Sequence, residues 1–127
     1  MRFLIDSHTL LWYLSDEPML GAKAREIIDD PDNDVFVSIA SIWELAIKRA
    51  KGKLRIPNDL AATCEKDGFT LLSIAPFHAE QAAMLPMHHR DPFDRMLIAQ
   101  AQAEGLVLVT RDAHIRRYGI RTMAPDQ

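Results

Sequence analysis

Three acidic side chains lie at positions where the surrounding pattern predicts apolar residues. Asp6 directly follows the apolar run Phe3–Ile5, and Glu44 is the only charged residue in the stretch Val35–Ile47. Asp94 lies on a helical face that carries apolar residues three, four and seven positions later. A buried, unpaired carboxylate costs several kcal/mol or takes up a proton. These positions therefore require a compensating group.

A divalent cation is one such group. A fourth acid, Asp112, follows the apolar run Leu106–Thr110, and carboxylates that are brought together repel one another unless a cation neutralises them. Mg²⁺ and Mn²⁺ prefer oxygen ligands. Two such ions roughly 4 Å apart activate a water and stabilise the leaving oxygen in phosphodiester hydrolysis. The four acids indicate this chemistry, provided that the fold brings them together.

Short apolar runs alternate with longer helical patterns along the chain, which predicts an α/β fold. The runs are almost continuously apolar, as expected of strands that are covered on both faces. We predict strands at Arg2–Asp6, Val35–Ile39, Leu71–Ile74, Leu106–Thr110 and Ile120–Met123. We predict helices at His8–Leu14, Ala22–Asp30, Ser41–Lys51, Asn58–Lys66, Phe77–Leu85 and Pro92–Glu104.

This alternation predicts right-handed crossovers and a mainly parallel sheet of about five strands, flanked by helices on both faces as a three-layer sandwich. Sites in such sheets form beyond the carboxyl ends of the strands. Asp6 and Asp112 leave that edge directly. Glu44 lies near the start of the helix after the second strand, and Asp94 lies in the first turn of the helix that leads to the fourth.

Each acid also has a structural explanation, which the sequence leaves open. Asp6 suits the N-cap of a helix, and the segment Ser41–Glu44 matches a capping box. Asp94 falls in the first turn of a helix that Asp91 caps, where an acid suits the helix dipole. The turn Asp112–Arg117 begins with its own cap. Capping alone does not explain why four caps converge on one edge of a sheet.

Length and composition predict one domain that spans residues 1–127. A hydrophobic content of 48% and a charged content of 26% exclude a disordered chain. The single cysteine, Cys64, excludes an internal disulfide and a cysteine-based zinc site. No apolar run approaches a membrane span of roughly 20 residues, and the segment Met1–Asp6 meets an acid too early for a signal peptide. We therefore expect a soluble, cytoplasmic protein without a membrane partner.

Charge is segregated along the chain, although the net charge is only −3. A run of basic residues follows Glu44, with no acid before Asp59. It consists of Lys48, Arg49, Lys51, Lys53 and Arg55. Such a cluster is compatible with an anionic partner, and an ordinary solvated surface is the alternative.

The order of the acids and their neighbours resembles the PIN domain, and more narrowly the VapC-type toxins of prokaryotic type II toxin–antitoxin systems. The resemblance rests on Asp6–Ser7, on Ser38 and Glu44, on the segment His89–Ala101 and on Thr110–Asp112. The segment His89–Ala101, followed shortly by Leu108–Asp112, is its most specific part. The similarity covers essentially the whole chain.

This resemblance implies a metal-dependent ribonuclease on a five-stranded, Rossmann-like parallel sheet. The implied metal-binding and catalytic acids are Asp6, Glu44, Asp94 and Asp112. Ser7 and Thr110 fall where the family often places a supporting hydroxyl. Asp91 is interpreted as a cap, with contact to metal or water as the alternative.

The expected reaction is in-line attack of water on RNA phosphorus, with one or two Mg²⁺ or Mn²⁺ ions held mainly by Asp6 and Asp94. Glu44 and Asp112 would hold the second ion or orient the water. Attack by water predicts a 5′-phosphate and a 3′-hydroxyl. The candidates for contacts to RNA phosphates are Lys48, Arg49, Lys51, Lys53 and Arg95.

The resemblance also implies a homodimer and a small cognate antitoxin that inserts a segment into or near the active site. Trp12, Tyr13 and Trp43 are interpreted as core or interface residues rather than as stacking surfaces for bases. The adjacent His88 and His89 lack the spacing of helical metal ligands, so no zinc site is expected.

The sequence leaves two other classes of function open. A phosphorelay receiver also binds Mg²⁺ with acids at strand ends, but it requires a lysine after a late strand, and the segment Thr110–Asp112 supplies none. A non-catalytic Mg²⁺-binding module for protein interaction is the second alternative. Such a module would keep its partner after loss of every carboxylate, which a metal-free binding assay distinguishes.

Overall fold

Five parallel strands form one sheet in the structure, a computed structural model that describes residues 1–127. The strands are β1 (Arg2–Ile5), β2 (Asp34–Ser38), β3 (Thr70–Leu72), β4 (Val107–Val109) and β5 (Thr122–Met123). Their order in the sheet is β3-β2-β1-β4-β5, and every neighbouring pair is parallel. The predicted parallel α/β sheet is confirmed, with β2 shifted by one residue and the other strands one or two residues shorter than predicted.

Six α-helices flank the sheet. They are α1 (Ser7–Leu14), α2 (Ala22–Asp29), α3 (Ile39–Ala50), α4 (Leu60–Lys66), α5 (Pro76–Met84) and α6 (Pro92–Glu104). A 3₁₀ turn, Ala113–Tyr118, connects β4 to β5. The predicted bounds of α6 are confirmed, because Asp91 caps its start and Gly105 takes the left-handed conformation at its end, with φ of 66°.

Helix α3 begins earlier than the sequence predicted. Ser38 is its N-cap, since its Oγ accepts the N–H of Ala40 at 3.0 Å. Ser41 therefore lies inside the helix, and the capping box predicted for Ser41–Glu44 does not form. The buried hydroxyl of Ser41 has no hydrogen-bond partner. Glu44 therefore does not cap α3.

The sheet separates two hydrophobic cores, which explains the nearly continuous apolar strands. In β1, Phe3 and Ile5 pack into the core on one face, whereas Leu4 packs into the core on the other. Ile5 and Leu4 are both fully buried. Cys64 lies in the first core, where burial raises the pKa of its thiol to about 11, so this thiol stays protonated and unreactive.

The strand order reverses at β1, whose neighbours are β2 on one side and β4 on the other. In open parallel sheets this reversal opens a crevice at the carboxyl ends of the strands. The order also differs from the 2-1-3-4-5 order of flavodoxin-like receivers, which removes support for the receiver alternative. None of the helices has the length and apolar content that crossing a bilayer requires.

Candidate functional site

Asp6 lies at the point where β1 ends and α1 begins. Its Oδ1 accepts the N–H of Thr9 at 2.9 Å and the Thr9 hydroxyl at 2.6 Å, which caps α1. Its own N–H donates to the carbonyl of Val109 at the end of β4, over 3.2 Å. The residue is buried. Asp6 is thus both a helix cap and a fixed carboxylate at the reversal of the strand order, and capping uses only one of its two oxygens.

Glu44 reaches the same edge from α3. The buried hydroxyl of Ser7 donates to its Oε1 at 2.5 Å, and the ammonium of Lys48 lies 3.5 Å from its Oε2. Because Ser7 directly follows Asp6, this hydrogen bond fixes the second acid relative to the first. Ser7 therefore holds a catalytic candidate in place.

Asp94 lies in the first turn of α6, behind the cap that Asp91 provides. Asp91 Oδ1 accepts the N–H of Phe93 at 2.8 Å and that of Asp94 at 3.4 Å. Burial raises the pKa of Asp94 to about 7; the charge of Asp91 adds to this, the charges of Asp6 and Glu44 add less, and His89 opposes it. Burial, with an added contribution from neighbouring acids, therefore makes ionisation of this carboxylate costly.

Asp112 follows β4 and caps the 3₁₀ turn. Its Oδ1 accepts the N–H of His114 at 2.9 Å, and its N–H donates to Oγ1 of Thr110 at 3.2 Å. Partial burial would raise the pKa of Asp112, but hydrogen bonds from His114 and His89 outweigh it and lower this pKa below its ordinary value. The hydroxyl of Thr110 thus fixes the backbone of Asp112.

His89 joins the site, although the sequence did not indicate it. Its Nε2 lies 2.8 Å from Oδ2 of Asp112 and 3.1 Å from Oδ2 of Asp94. Its Nδ1 accepts the N–H of Asp91 at 3.1 Å, so the ring proton is on Nε2. The N–H at Nε2 of His89 therefore lies between two carboxylates that come from separate elements. A histidine pair in a loop has no spacing that would have revealed this contact.

Arg95 does not face the site or the solvent, in contrast to the expected phosphate contact. It is buried, and its Nη2 donates to the carbonyls of Ala82 and Leu85, each at 2.8 Å. Its Nη1 donates to the carbonyls of Pro86 and His89, each at 3.1 Å. The guanidinium is occupied because the connection from α5 to α6 carries carbonyls that need donors. Arg95 is thus a structural residue that also fixes the backbone of His89.

The acids line two adjoining depressions of the surface. One is an open pocket of about 390 Å³ with no hydrophobic residue in its lining, formed by Asp6, His8, Asp94, Thr110, Arg111 and Asp112. The other is a groove of about 530 Å³ that Glu44 and Asp91 share with a set of basic residues. These are Lys48, Lys51, Lys53 and Arg90. Arg49 lies apart from them, because its side chain donates to the carbonyl of Pro57 at 2.7 Å.

The donor set fits a hard divalent cation. Carboxylate oxygens of Asp94 and Asp112 lie within 4.8 Å of each other and of Nε2 of His89, which donates to them, and Asp6 lines the same pocket. Carboxylate oxygens dominate, which suits Mg²⁺ or Mn²⁺ better than zinc. Burial and the neighbouring acids raise the pKa of Asp94 to about 7, so its ionised form is costly in the metal-free protein. A bound divalent cation would offset that cost.

Comparison with known proteins gives consistent results. The sequence model of the PIN domain matches residues 3–121. The chain is 27% identical to Ribonuclease VapC22 of Mycobacterium tuberculosis over 118 residues, which cover 91% of this chain and 90% of that protein.

Among solved structures, the chain resembles VapBC2 of Rickettsia felis bound to a promoter DNA fragment, with a TM-score of 0.71, 13% identity and 98% coverage of both chains. It also resembles DNA-bound VapBC of Salmonella typhimurium, with a TM-score of 0.69, 20% identity and 98% coverage of both chains. The structural neighbours establish the fold, and the sequence match over residues 3–121 establishes the family. This chain belongs to the PIN-domain family.

Proposed function

We propose that this chain is a metal-dependent endoribonuclease and the toxin of a type II toxin–antitoxin module. The observation that carries the proposal is the convergence of four acids from separate elements on one edge of the sheet. Asp6 and Asp112 follow β1 and β4, whereas Glu44 and Asp94 come from α3 and α6. The ribonuclease name of the Mycobacterium tuberculosis relative supports the assignment.

The proposed ligands of one or two Mg²⁺ or Mn²⁺ ions are mainly Asp6 and Asp94. When bound, such an ion supplies positive charge at the RNA phosphate and activates a water for attack. Asp6 is suited to this role because its position is fixed by Thr9 while one oxygen stays outside the cap. Asp94 is suited because it lines the same pocket as Asp6 and Asp112, where a cation would offset the burial that raises its pKa to about 7.

Glu44 and Asp112 would hold the second ion or orient the attacking water. Ser7 holds Glu44 at 2.5 Å, and Lys48 neutralises part of its charge. The lowered pKa of Asp112 keeps this carboxylate ionised, hence able to accept a hydrogen bond from water or to bind a cation. Asp91 serves as the cap of α6.

The proposed products follow from attack by water. Its oxygen bonds to phosphorus in line with the 3′-oxygen, the bond from phosphorus to that oxygen breaks, and the leaving oxygen takes a proton. The fragments carry a 5′-phosphate and a 3′-hydroxyl, with no 2′,3′-cyclic phosphate. Cellular RNA as the substrate implies action in the cytoplasm.

A cognate antitoxin and a second copy of the chain are the proposed protein partners. The antitoxin is supported by the resemblance to VapBC structures from Rickettsia felis and Salmonella typhimurium. We propose that a segment of it enters or covers the acidic pocket. Assembly as a homodimer belongs to the same proposal.

Substitution of Asp6 tests the proposed function. Purified wild-type protein should cleave RNA only with Mg²⁺ or Mn²⁺, and Asp6→Ala should abolish cleavage. Asp32→Ala is the matched control, because Asp32 is exposed and lies outside the site. Full cleavage by Asp6→Ala, or cyclic phosphate ends on the products, would contradict the proposal.

A further inference from the structure

Trp43 is exposed on α3 beside the acids, which excludes a core position and is compatible with an interface. Its exposed fraction is 61%, which is unusual for the largest side chain in proteins. It directly precedes Glu44. An exposed aromatic side chain beside an acidic site indicates a binding surface rather than packing.

Phe93 supports Trp43 from α6. The two ring centroids lie 5.3 Å apart, and the ring planes are inclined by 68°. In this edge-to-face arrangement at least one face of the indole remains free. Phe93 directly precedes Asp94. The aromatic pair is therefore anchored beside two acids, one from each helix.

The same pair adjoins the basic groove. Phe93 lines the groove together with Lys48, Lys51, Lys53 and Arg90. Glu44 and Asp91 also line it, and Phe93 of the groove directly precedes Asp94 of the acidic pocket. Basic side chains beside an aromatic face are the features that bind single-stranded nucleic acid, with phosphates on the cations and bases on the ring.

We propose that Trp43, supported by Phe93, stacks an unpaired RNA base next to the scissile phosphate, while the basic groove binds the neighbouring phosphates. The proposal rests on the proposed ribonuclease function, because the acidic site defines which phosphate is cleaved. It makes the preferred substrate an unpaired segment, since a base within a duplex cannot stack on a side chain.

Fluorescence of Trp43 tests the stacking. The chain has two tryptophans, so Trp12→Phe leaves Trp43 as the only reporter. Titration in EDTA with a mixed-sequence single-stranded RNA octamer should quench the emission in a saturable way. An octamer of abasic ribose phosphates should bind with little quenching, because it has no base to stack.

Affinity variants separate the ring from the cations. Trp43→Ala should weaken octamer binding, measured by anisotropy, by about 5- to 150-fold, and Trp43→Phe should restore most of it. The slope of log affinity against log salt should be unchanged in Trp43→Ala. In Lys51→Ala it should fall by about 0.7, the value for one lost phosphate contact on a single strand.

Two results would overturn the stacking proposal. One is octamer binding with neither quenching of Trp43 nor loss of affinity in Trp43→Ala. The other is Trp43 emission that changes with protein concentration but not on addition of RNA. That result would assign Trp43 to an interface between copies of the chain. In both cases metal-dependent cleavage by Trp12→Phe would leave the ribonuclease proposal intact, whereas its absence would contradict that proposal as well.

Discussion

The imidazole of His89 donates from Nε2 to Oδ2 of Asp112 over 2.8 Å. The same nitrogen lies 3.1 Å from Oδ2 of Asp94. The N–H of this nitrogen thus lies between two carboxylates, one from α6 and one from the turn after β4. The backbone of this histidine is fixed in turn, because its N–H donates to the hydroxyl of Tyr118 at 2.8 Å and its carbonyl accepts from Arg95.

Replacement of His89 should impair the arrangement of the acids rather than the fold. For His89→Ala we expect cleavage activity about 10- to 100-fold lower, the usual effect of losing a group that orients metal ligands. The concentration of Mn²⁺ that gives half-maximal activity should change as well. His88→Ala is the control in the same loop. Equal activity and equal metal dependence in His89→Ala would show that the bridge has no role.

The metal-free protein should lose stability as the pH rises. Asp94 has a pKa of about 7 in the folded chain, against an ordinary value of 3.8. Between these values the folded state binds a proton that the unfolded state has released, so stability falls from pH 3.8 to about 7 and the loss is complete above that pH. Asp94→Asn should not show this loss of stability, because its amide side chain does not titrate. Urea unfolding of both proteins in EDTA across this range measures it, and a pH-independent difference between them would contradict it.

Removal of the buried guanidinium should destabilise the whole domain. Arg95→Ala leaves the carbonyls of Ala82, Leu85 and His89 without their donor, whereas that of Pro86 still accepts from the hydroxyl of Tyr118. Each buried carbonyl left unsatisfied costs about 1–3 kcal/mol, so we expect a loss of at least about 3 kcal/mol in the free energy of unfolding. Arg90→Ala is the exposed control. A loss below about 1 kcal/mol, together with weaker RNA binding, would instead support the phosphate contact that the sequence suggested.

The hydroxyl of Ser7 should matter for activity through Glu44. Ser7→Ala removes the hydrogen bond to Oε1 and leaves the carboxylate free to rotate. A hydrogen bond to a charged group contributes about 1.5–3 kcal/mol, so activity should fall by at least about 10-fold. Ser7→Thr keeps the hydroxyl and should retain more activity than Ser7→Ala. Unchanged kcat/KM in the alanine variant would separate Ser7 from the reaction.

The fold and the placement of Asp6 and Asp112 could be predicted from the sequence, for a physical reason. Buried parallel strands need continuous apolar runs, and the residues that follow them leave one edge of the sheet. The bounds of α6 were predictable because proline begins it and glycine ends it. The start of α3 could not be predicted, because Ile39 and Ala40 continue the apolar run of β2 and are equally compatible with a strand or a helix.

The role of Arg95 could not be predicted, because it depends on tertiary contacts. An arginine beside acids has the same sequence pattern whether it faces RNA or fills a turn. Only the path of the chain between α5 and α6 reveals the carbonyls that it binds. His89 is similar, since its partner Asp112 lies 23 residues away in sequence. For Trp43 the sequence left core and interface open, and its exposure excludes the core, because a position on a helix does not reveal whether another element covers it.

The proposed metal-dependent active site is best tested by cleavage of end-labelled, single-stranded RNA with wild-type protein and with Asp94→Asn. The wild type should cleave only with Mg²⁺ or Mn²⁺ and leave 5′-phosphate ends, and Asp94→Asn should show no cleavage while remaining folded. Cleavage that persists in EDTA, or that survives in Asp94→Asn at the wild-type rate, would contradict a metal-dependent active site built on these acids.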